Sequence, residues 1–422
     1  MNRKKNRVPF RLVSPDRSRN VRLMSPAEEL EKMFREKIAR HGPVTFRWFM
    51  QQALYHPTWG YYTSGRGVVG RLGDFYTSVS VGRTFGELLT RQFHEMWLRL
   101  GSPDEFTIVE QAADRGQLAS DILETAGLLY PDFFSALRYW IIEPSPTLIS
   151  EQKKLLSRFG RQRTGWIKEI DSLGEGAIFG VYFCNELLDA QPVHLVSRIG
   201  NEWLENYVDF ENGAFNYSFG PASSHSLAKH LDKLPTALPD QYRTEVNLRA
   251  MTWMQDAARA MRCGYILVID YGYSRTQFYG PLRTDGTLSC YRNHERHYNP
   301  FDFLGDSDIT SHVEFTSIAE TAVEEGMGLA GFADQNRFLV GVAQSEFDAI
   351  EAESQAGALS EATAKRLAEL KTLTHPETMG SQFKFLTLQK NIEPGPRLAG
   401  YQFATDPYIV LGVRRPDPMV MY

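Results

Sequence analysis

The chain has 422 residues, 42% of them hydrophobic and 23% charged, with a formal net charge of −5. That is ample material for a packed core, arranged as one large domain with insertions or as two domains. No apolar run approaches the ~20 residues that span a bilayer. Three dispersed cysteines, Cys184, Cys263 and Cys290, support neither a disulfide framework nor a cysteine zinc site. A reducing, intracellular setting fits. Residues 1–25 hold eight Lys/Arg against one acid, which leaves 38 basic and 50 acidic residues in the remainder. The acidic body argues against a nucleic-acid partner. The head, residues 1–24, has no apolar h-region and reads as a disordered basic tail. A cytoplasmic location is expected, with the mitochondrial matrix as the alternative.

Order is expected to begin at Ser25-Pro26-Ala27-Glu28, a capping box with proline at the first helical position. Leu30, Met33, Phe34 and Ile38 form one face of that helix, and Gly42-Pro43 stops it. A second helix follows Thr45, burying Phe46, Phe49, Met50, Ala53 and Leu54. With the Gly- and hydroxyl-rich loop at 65–80, these make an N-terminal helical cap over 25–100. Asp74, Tyr76, Thr77, Ser78 and Ser80 are the polar contacts of that loop. A long helix then carries Phe85, Leu88, Leu89, Phe93, Met96 and Trp97 on one stripe.

From residue 101 the pattern changes. Phe106-Thr107-Ile108-Val109 is a buried strand ended by Glu110, followed by a tight turn to Gly116 and a helix. Strands ended by Glu143, by Asn185-Glu186 and by Asp270 recur with helices between them. This alternation predicts an α/β, Rossmann-like, doubly wound sheet over 101–344. Insertions are expected at 194–262, with hairpin turns at Gly200-Asn201 and Asn212-Gly213 and a helix over roughly 241–262, and at 273–312. Further strands are expected near 327–332 and 337–342. A charged arm with one helix occupies 345–378, and a last strand, Phe383 to Leu388, opens the segment 379–422.

In such a sheet the strand tips face a ligand crevice. The turn after Glu110 has one glycine, so a phosphate-binding dinucleotide fingerprint fails. Glu143 at the second tip is placed to accept two ribose hydroxyls. Several acids in one crevice suit a cation. S-adenosylmethionine combines a sulfonium, a ribose and an amino-acid head, and needs no phosphate cradle. Carboxylates at Glu186 and Asp189 suit a guanidinium held through paired hydrogen bonds. His294 and His297 lack the spacing of a zinc-protease motif, and no metal is expected.

These motifs resemble a known family, the MidA-like S-adenosylmethionine-dependent methyltransferases of bacteria and mitochondria. The matching pieces are Gly42-Pro43-x-Thr45-Phe46 through ALYHPTWGYY, GDFYTS with FGELL, IIEPSPTL, NELLDAQPV, IDYGY, GTLSCY, DITSHVEF and MGSQFKFLTL. They cover most of residues 42–343 and 379–389. The resemblance implies a seven-stranded methyltransferase sheet and methyl transfer to a protein arginine. It implies cofactor contacts at Asp74, Thr77, Ser78, Glu110, Ala112, Gly116 and Glu143, and an acceptor side at Asn185, Glu186 and Asp189. Mitochondrial members act on a respiratory complex subunit, which makes such a protein the expected class of partner. The family usually has glycine where Ala112 and Asp114 stand here. A fold kept for assembly or interaction, with weakened catalysis, is therefore the alternative.

Overall fold

The computed structural model describes residues 24–64 and 78–416. Asp74, Tyr76 and Thr77 of the expected loop lie outside the described residues, as does nearly all of the basic head. The central sheet contains seven principal strands, numbered here in chain order. They are β1 (Phe106–Gln111), β2 (Leu137–Ile142), β3 (Thr164–Ile167), β4 (Ile178–Asn185), β5 (Met261–Tyr273), β6 (Gly328–Asp334) and β7 (Phe383–Lys390). Their spatial order is β6-β7-β5-β4-β1-β2-β3. Strands β1 to β5 run parallel, whereas β7 is antiparallel to both β5 and β6. The expected seven-stranded Rossmann-like sheet is thus present. A short strand, Val313–Glu314, adds to the end of β5.

The strands are apolar runs because both faces of the sheet are covered. Phe106 and Ile108 face helices Thr84–Arg99 and Gln117–Leu129, while Val109 faces helices Leu248–Ala260 and Phe315–Glu324. Each buried Leu, Ile or Phe contributes roughly 1.5–3 kcal/mol. Register places Gln111 beside Cys184 and Ile142, and Asn185 beside Ile269. The tips of β1, β2, β4 and β5 are therefore level. The middle of the sheet is packed backbone to backbone at Gly180 and Gly264, which are cross-strand partners with φ of 146° and 136°. A methyl group on Gly264 would sit 1.9 Å from the Gly180 carbonyl oxygen, and one on Gly180 would sit 2.2 Å from that of Thr107.

A second sheet lies outside this core. Its order is Val44–Thr45, Glu202–Glu211, His194–Ile199, Arg243–Val246, with Ala214–Gly220 also paired to Glu202–Glu211. The two-residue strand at Val44–Thr45 pairs with Tyr207–Val208, so the N-terminal segment and the first insertion share a sheet. They also share a core containing Phe34, Phe46, Phe49, Leu195 and Val208. The expected caps are in place: Ser25 and Glu28 form the capping box, and Thr45 accepts from the Trp48 N–H at 3.2 Å. The two hairpin turns are also where expected, with φ of 62° at Gly200, 54° at Asn212 and 83° at Gly213.

Three expectations are corrected. Residues 337–342 belong to helix Gln335–Val342, because Asp334 caps it through the Arg337 N–H at 3.0 Å and Phe338, Leu339 and Val342 fall on one buried face. The arm holds two helices, Gln344–Ala356 and Glu361–Thr374; Gly357 ends the first and Ser360 caps the second. The helix expected over 241–262 is shorter, Leu248–Ala260, with strand Arg243–Val246 before its Asn247 cap.

The glycine contact at the centre of the sheet makes a test. Gly264→Ala and Gly180→Ala should each destabilise the fold by about 3 kcal/mol, because backbone must part to admit the methyl. Urea unfolding checks this, and an unchanged midpoint would show that the two strands are less tightly apposed.

Candidate active site

The first wall of the crevice is the turn after β1. Glu110 is buried, and its Oε2 accepts from the Tyr139 hydroxyl at 2.7 Å. Burial pushes its carboxyl up to about 8, against the pull of the Tyr139 bond. The chain then turns through three left-handed residues, Ala112 at φ 66°, Asp114 at φ 43° and Gly116 at φ 84°. The Gly116 N–H closes the turn on the Ala113 carbonyl at 2.7 Å, and helix Gln117–Leu129 begins. Ala112 and Asp114 thus adopt backbone that glycine reaches at no steric cost. Alanine there costs about 1 kcal/mol, and Asp tolerates the region better.

The second tip is tied to this turn. Glu143 Oε1 accepts from the Ser145 N–H at 2.8 Å, and its Oε2 from Gln152 Nε2 at 3.4 Å. Gln152 also donates to the Asp114 carbonyl at 2.6 Å and accepts from Trp166 Nε1 at 2.9 Å. One fully buried amide therefore links the turn, the second tip and β3. Burial raises the Glu143 and Asp114 carboxyls; for Asp114, the neighbouring Arg115 opposes the rise. Arg115 itself pairs with Glu151 at 3.0 Å. The Ser78 hydroxyl is buried and donates to Gln335 Oε1 at 3.0 Å, and Gln335 in turn donates to the Leu373 carbonyl.

The other wall follows β4. Glu186 has φ 56°, and its N–H donates to the Ile269 carbonyl at 2.9 Å. Beyond it the chain wraps around Asp270. Asp270 Oδ2 accepts from the N–H groups of Leu187, Leu188 and Asp189 at 3.2, 2.8 and 3.4 Å, while Oδ1 accepts from Tyr271 at 2.8 Å. Asp270 is fully buried, and its carboxyl is pushed up to about 7 by desolvation, despite these bonds. Asn247 Nδ2 holds the Leu188 carbonyl at 2.9 Å, and the Ser311 N–H holds that of Asp189 at 2.9 Å.

Asn185, Glu186 and Asp189 are thereby brought together on one rigid loop. Asn185 Nδ2 donates to Glu186 Oε1 at 3.1 Å. Burial pushes the Glu186 carboxyl up to about 8, with the charge of Asp189 adding to the rise. The Asp189 carboxyl also rises, first through burial and then through Asp270 and Asp308. Three buried acceptors on this loop have no hydrogen-bond partner among the described residues: Asn185 Oδ1, Asp189 Oδ1 and Gln191 Oε1. Such groups cost about 1–3 kcal/mol each unless a ligand supplies donors.

Residue-type reasoning alone did not single out Gln152, Gln191, Tyr62 or Asp308. Gln191 lies within NELLDAQPV and Asp308 within DITSHVEF, so the motif positions were the available signal. His294 sits in a turn at φ 64°, His297 bonds Ser307 at 2.8 Å, and no metal-holding group of three His, Cys, Asp or Glu occurs among the described residues.

The arrangement is a level row of acids with spare acceptors and no phosphate cradle. Its Glu143 carboxylate offers further lone pairs to ribose hydroxyls, and its remaining acids favour a cation. The residues present therefore fit S-adenosylmethionine. Comparison with known proteins agrees. A family model for S-adenosyl-L-methionine-dependent methyltransferases matches residues 88–333. A crystal structure from Burkholderia thailandensis with S-adenosyl-homocysteine bound shares 27% identity, with a TM-score of 0.79, and the match covers 91% of this chain and 97% of that one. The mitochondrial protein arginine methyltransferase NDUFAF7 homolog of Drosophila melanogaster is 29% identical over 85% of this chain and 84% of its own length. The human protein arginine methyltransferase NDUFAF7, also mitochondrial, is 27% identical over 71% of this chain and 70% of its own.

The turn yields a second test. Ala112→Gly should raise stability by up to about 1 kcal/mol through relief of left-handed strain, whereas Ala112→Val should lower it by more than that. Thermal unfolding of the two variants checks the sign.

Proposed function

The chain belongs to the S-adenosyl-L-methionine-dependent methyltransferases, and we propose that it transfers methyl groups to the guanidinium of a protein arginine. Its methyl donor is S-adenosyl-L-methionine. One observation carries the choice of acceptor: the loop after β4 presents buried acceptors in want of donors, among carboxylates. A guanidinium brings five N–H donors, no acceptor and a fixed positive charge. The names of the curated relatives support the same acceptor class.

In this reading Glu143 takes the ribose hydroxyls, and the Glu110–Gly116 turn takes the amino-acid end of the cofactor. Asp74, Thr77 and Ser78 remain proposed as cofactor contacts. Bound S-adenosylmethionine supplies an electrophilic methyl on a sulfonium. Glu186 and Asp189 hold the guanidinium and aim one nitrogen at that methyl. Most of the rate comes from this alignment. When the nitrogen gains a methyl it loses a proton, which Glu186 accepts. The alternative of a catalytically weakened assembly protein rested on Ala112 and Asp114. Their backbone takes the left-handed form that glycine would take, which supports retained cofactor binding.

An acceptor on a respiratory complex subunit belongs to the same proposal. The curated relatives named above are mitochondrial, which fits the matrix alternative better than the cytoplasm. No helix among the described residues is long and apolar enough to cross a membrane.

Calorimetric titration with S-adenosylmethionine and S-adenosylhomocysteine tests the cofactor half, with micromolar affinity expected. No binding to the folded protein at millimolar cofactor would sink it. The pH dependence tests the acceptor half. Glu186 must be ionised to hold a cation or take a proton, and its carboxyl stands at about 8. For methylation of protein in lysate, kcat/KM should therefore rise with pH, ~10-fold per unit below that value, and level above it. Glu186→Gln should lower it ~100-fold or more and remove the slope. Stability runs the other way. A raised carboxyl stabilises the fold fully below the ordinary value of 4.5, and this is lost as pH rises through about 8.

A further inference from the structure

Ala112 and Asp114 hold left-handed backbone, φ 66° and 43°, although neither is glycine. Left to itself, such a segment returns to the extended or right-handed regions, where a Cβ meets no clash. Its neighbours must therefore hold it. Immediately before Ala112, the side chain of Gln111 is fixed by two partners. Its Oε1 accepts from Trp253 Nε1 at 2.7 Å and from the Tyr182 hydroxyl. The same indole N–H reaches the Tyr182 oxygen at 3.1 Å, which closes a triangle of bonds. Tyr182 stands on β4 and Trp253 on helix Leu248–Ala260, and both are buried. Burial holds the Tyr182 phenol well above its usual range, so it keeps its proton and donates.

Tyr182 and Trp253 belong to a cluster that is otherwise apolar, with Val109, Ile142, Leu188 and Met254. An aliphatic residue at 111 would pack there without the desolvation that an amide costs. A matched polar triangle instead specifies one geometry at the end of β1. Beyond the turn, on the other face of the sheet, Gln152 Nε2 holds the Asp114 carbonyl at 2.6 Å. Residues 112–114 are thus strung between two anchors, the Gln111 side chain and the Asp114 carbonyl.

We propose that Gln111, locked by Trp253 and Tyr182, is a positioning residue for the methyl donor: it presets the backbone of 112–114 in the left-handed shape that receives the amino-acid end of S-adenosylmethionine. Ala112 then does through an external anchor what glycine does through its own freedom. The inference rests on the cofactor reading given above. Gln111 acts through the turn and touches no reacting atom.

The test is a double-mutant cycle on the full chain, read by calorimetric titration with S-adenosylhomocysteine. Gln111→Leu keeps the bulk and removes the anchor. It should weaken binding ~10-fold, because only a fraction of the molecules then hold the turn ready. In an Ala112→Gly background the same change should cost ~2-fold or less, because glycine enters the left-handed region about as readily as the right-handed one. If Gln111→Leu does not fold, Trp253→Phe, which removes the indole N–H and keeps an aromatic ring, takes its place in the cycle. A merely structural residue would cost the same in both backgrounds. Equal losses in the two, or no loss from Gln111→Leu, overturn the positioning role and leave the cofactor reading standing. A wild type that does not bind at millimolar S-adenosylhomocysteine overturns both.

Discussion

The loop after β4, the proposed acceptor side, depends on one buried carboxylate, Asp270, gathering four backbone N–H groups at the tip of β5. Each bond contributes on the order of 1 kcal/mol, and more when the carboxyl is ionised. Their larger effect is geometric. After β4 the chain must leave the sheet at once and present Glu186 and Asp189 without a helix to carry them. Wrapping Leu187, Leu188 and Asp189 around a carboxylate fixed to the neighbouring strand does this, and it explains why Glu186 holds a left-handed φ of 56°. From the sequence, Asp270 was one more acid at a strand tip facing the ligand. In the fold it is a fastener, with its oxygens occupied by backbone.

Placing Asp270, Asp189, Asp308 and Glu186 together has an electrostatic consequence. Burial and mutual repulsion raise the carboxyls of Glu186, Asp189 and Asp270, so these groups hold protons more tightly than free acids would. A guanidinium reverses both contributions. It restores favourable charge and supplies donors to oxygens that lack them. Under the proposed arginine reading, the site thereby distinguishes a cation that brings several donors in a plane from a neutral group of the same shape. The same logic applies weakly at Glu110, whose raised carboxyl is satisfied by Tyr139 and whose place beneath the turn is structural as much as ligand-facing.

Much of the core was legible because its signals are local. The β1 run FTIV, the glycine at 116 and the acids at 110, 143 and 270 sit within single elements, and a parallel strand buried on both faces must read as a continuous apolar run. The left-handed backbone at Ala112 and Asp114 was also legible as a departure from glycine. The rest was hidden by distance. Gln152 matters because its amide spans the turn and Glu143. Asp308 matters because Tyr62 reaches it from 246 residues away. Neither relation has a periodicity or spacing to betray it. The strand mistaken at 337–342 failed for a local reason: Asp334 caps a helix, and Phe338-Leu339 fits either period.

The two halves of the crevice differ in origin. The described groups proposed to face the cofactor, at 110–116, 143 and 152, belong to the central sheet and its first crossovers. The proposed acceptor side takes Asp189 from the core, and Tyr55 and Tyr62 from the N-terminal helical segment and Asp308 from an insertion pack beside it. That outer assembly coheres because Val44–Thr45 pairs with Tyr207–Val208 and because one apolar core runs beneath it. A two-residue pairing is a weak tie by itself, so the aromatic packing of Phe34, Phe46 and Phe49 must carry most of the coupling. Changes in the outer assembly can therefore reach the proposed acceptor side without disturbing the turn proposed to bind the methyl donor. A departure such as Ala112 acts on the other half, through backbone strain, and should leave acceptor selectivity intact.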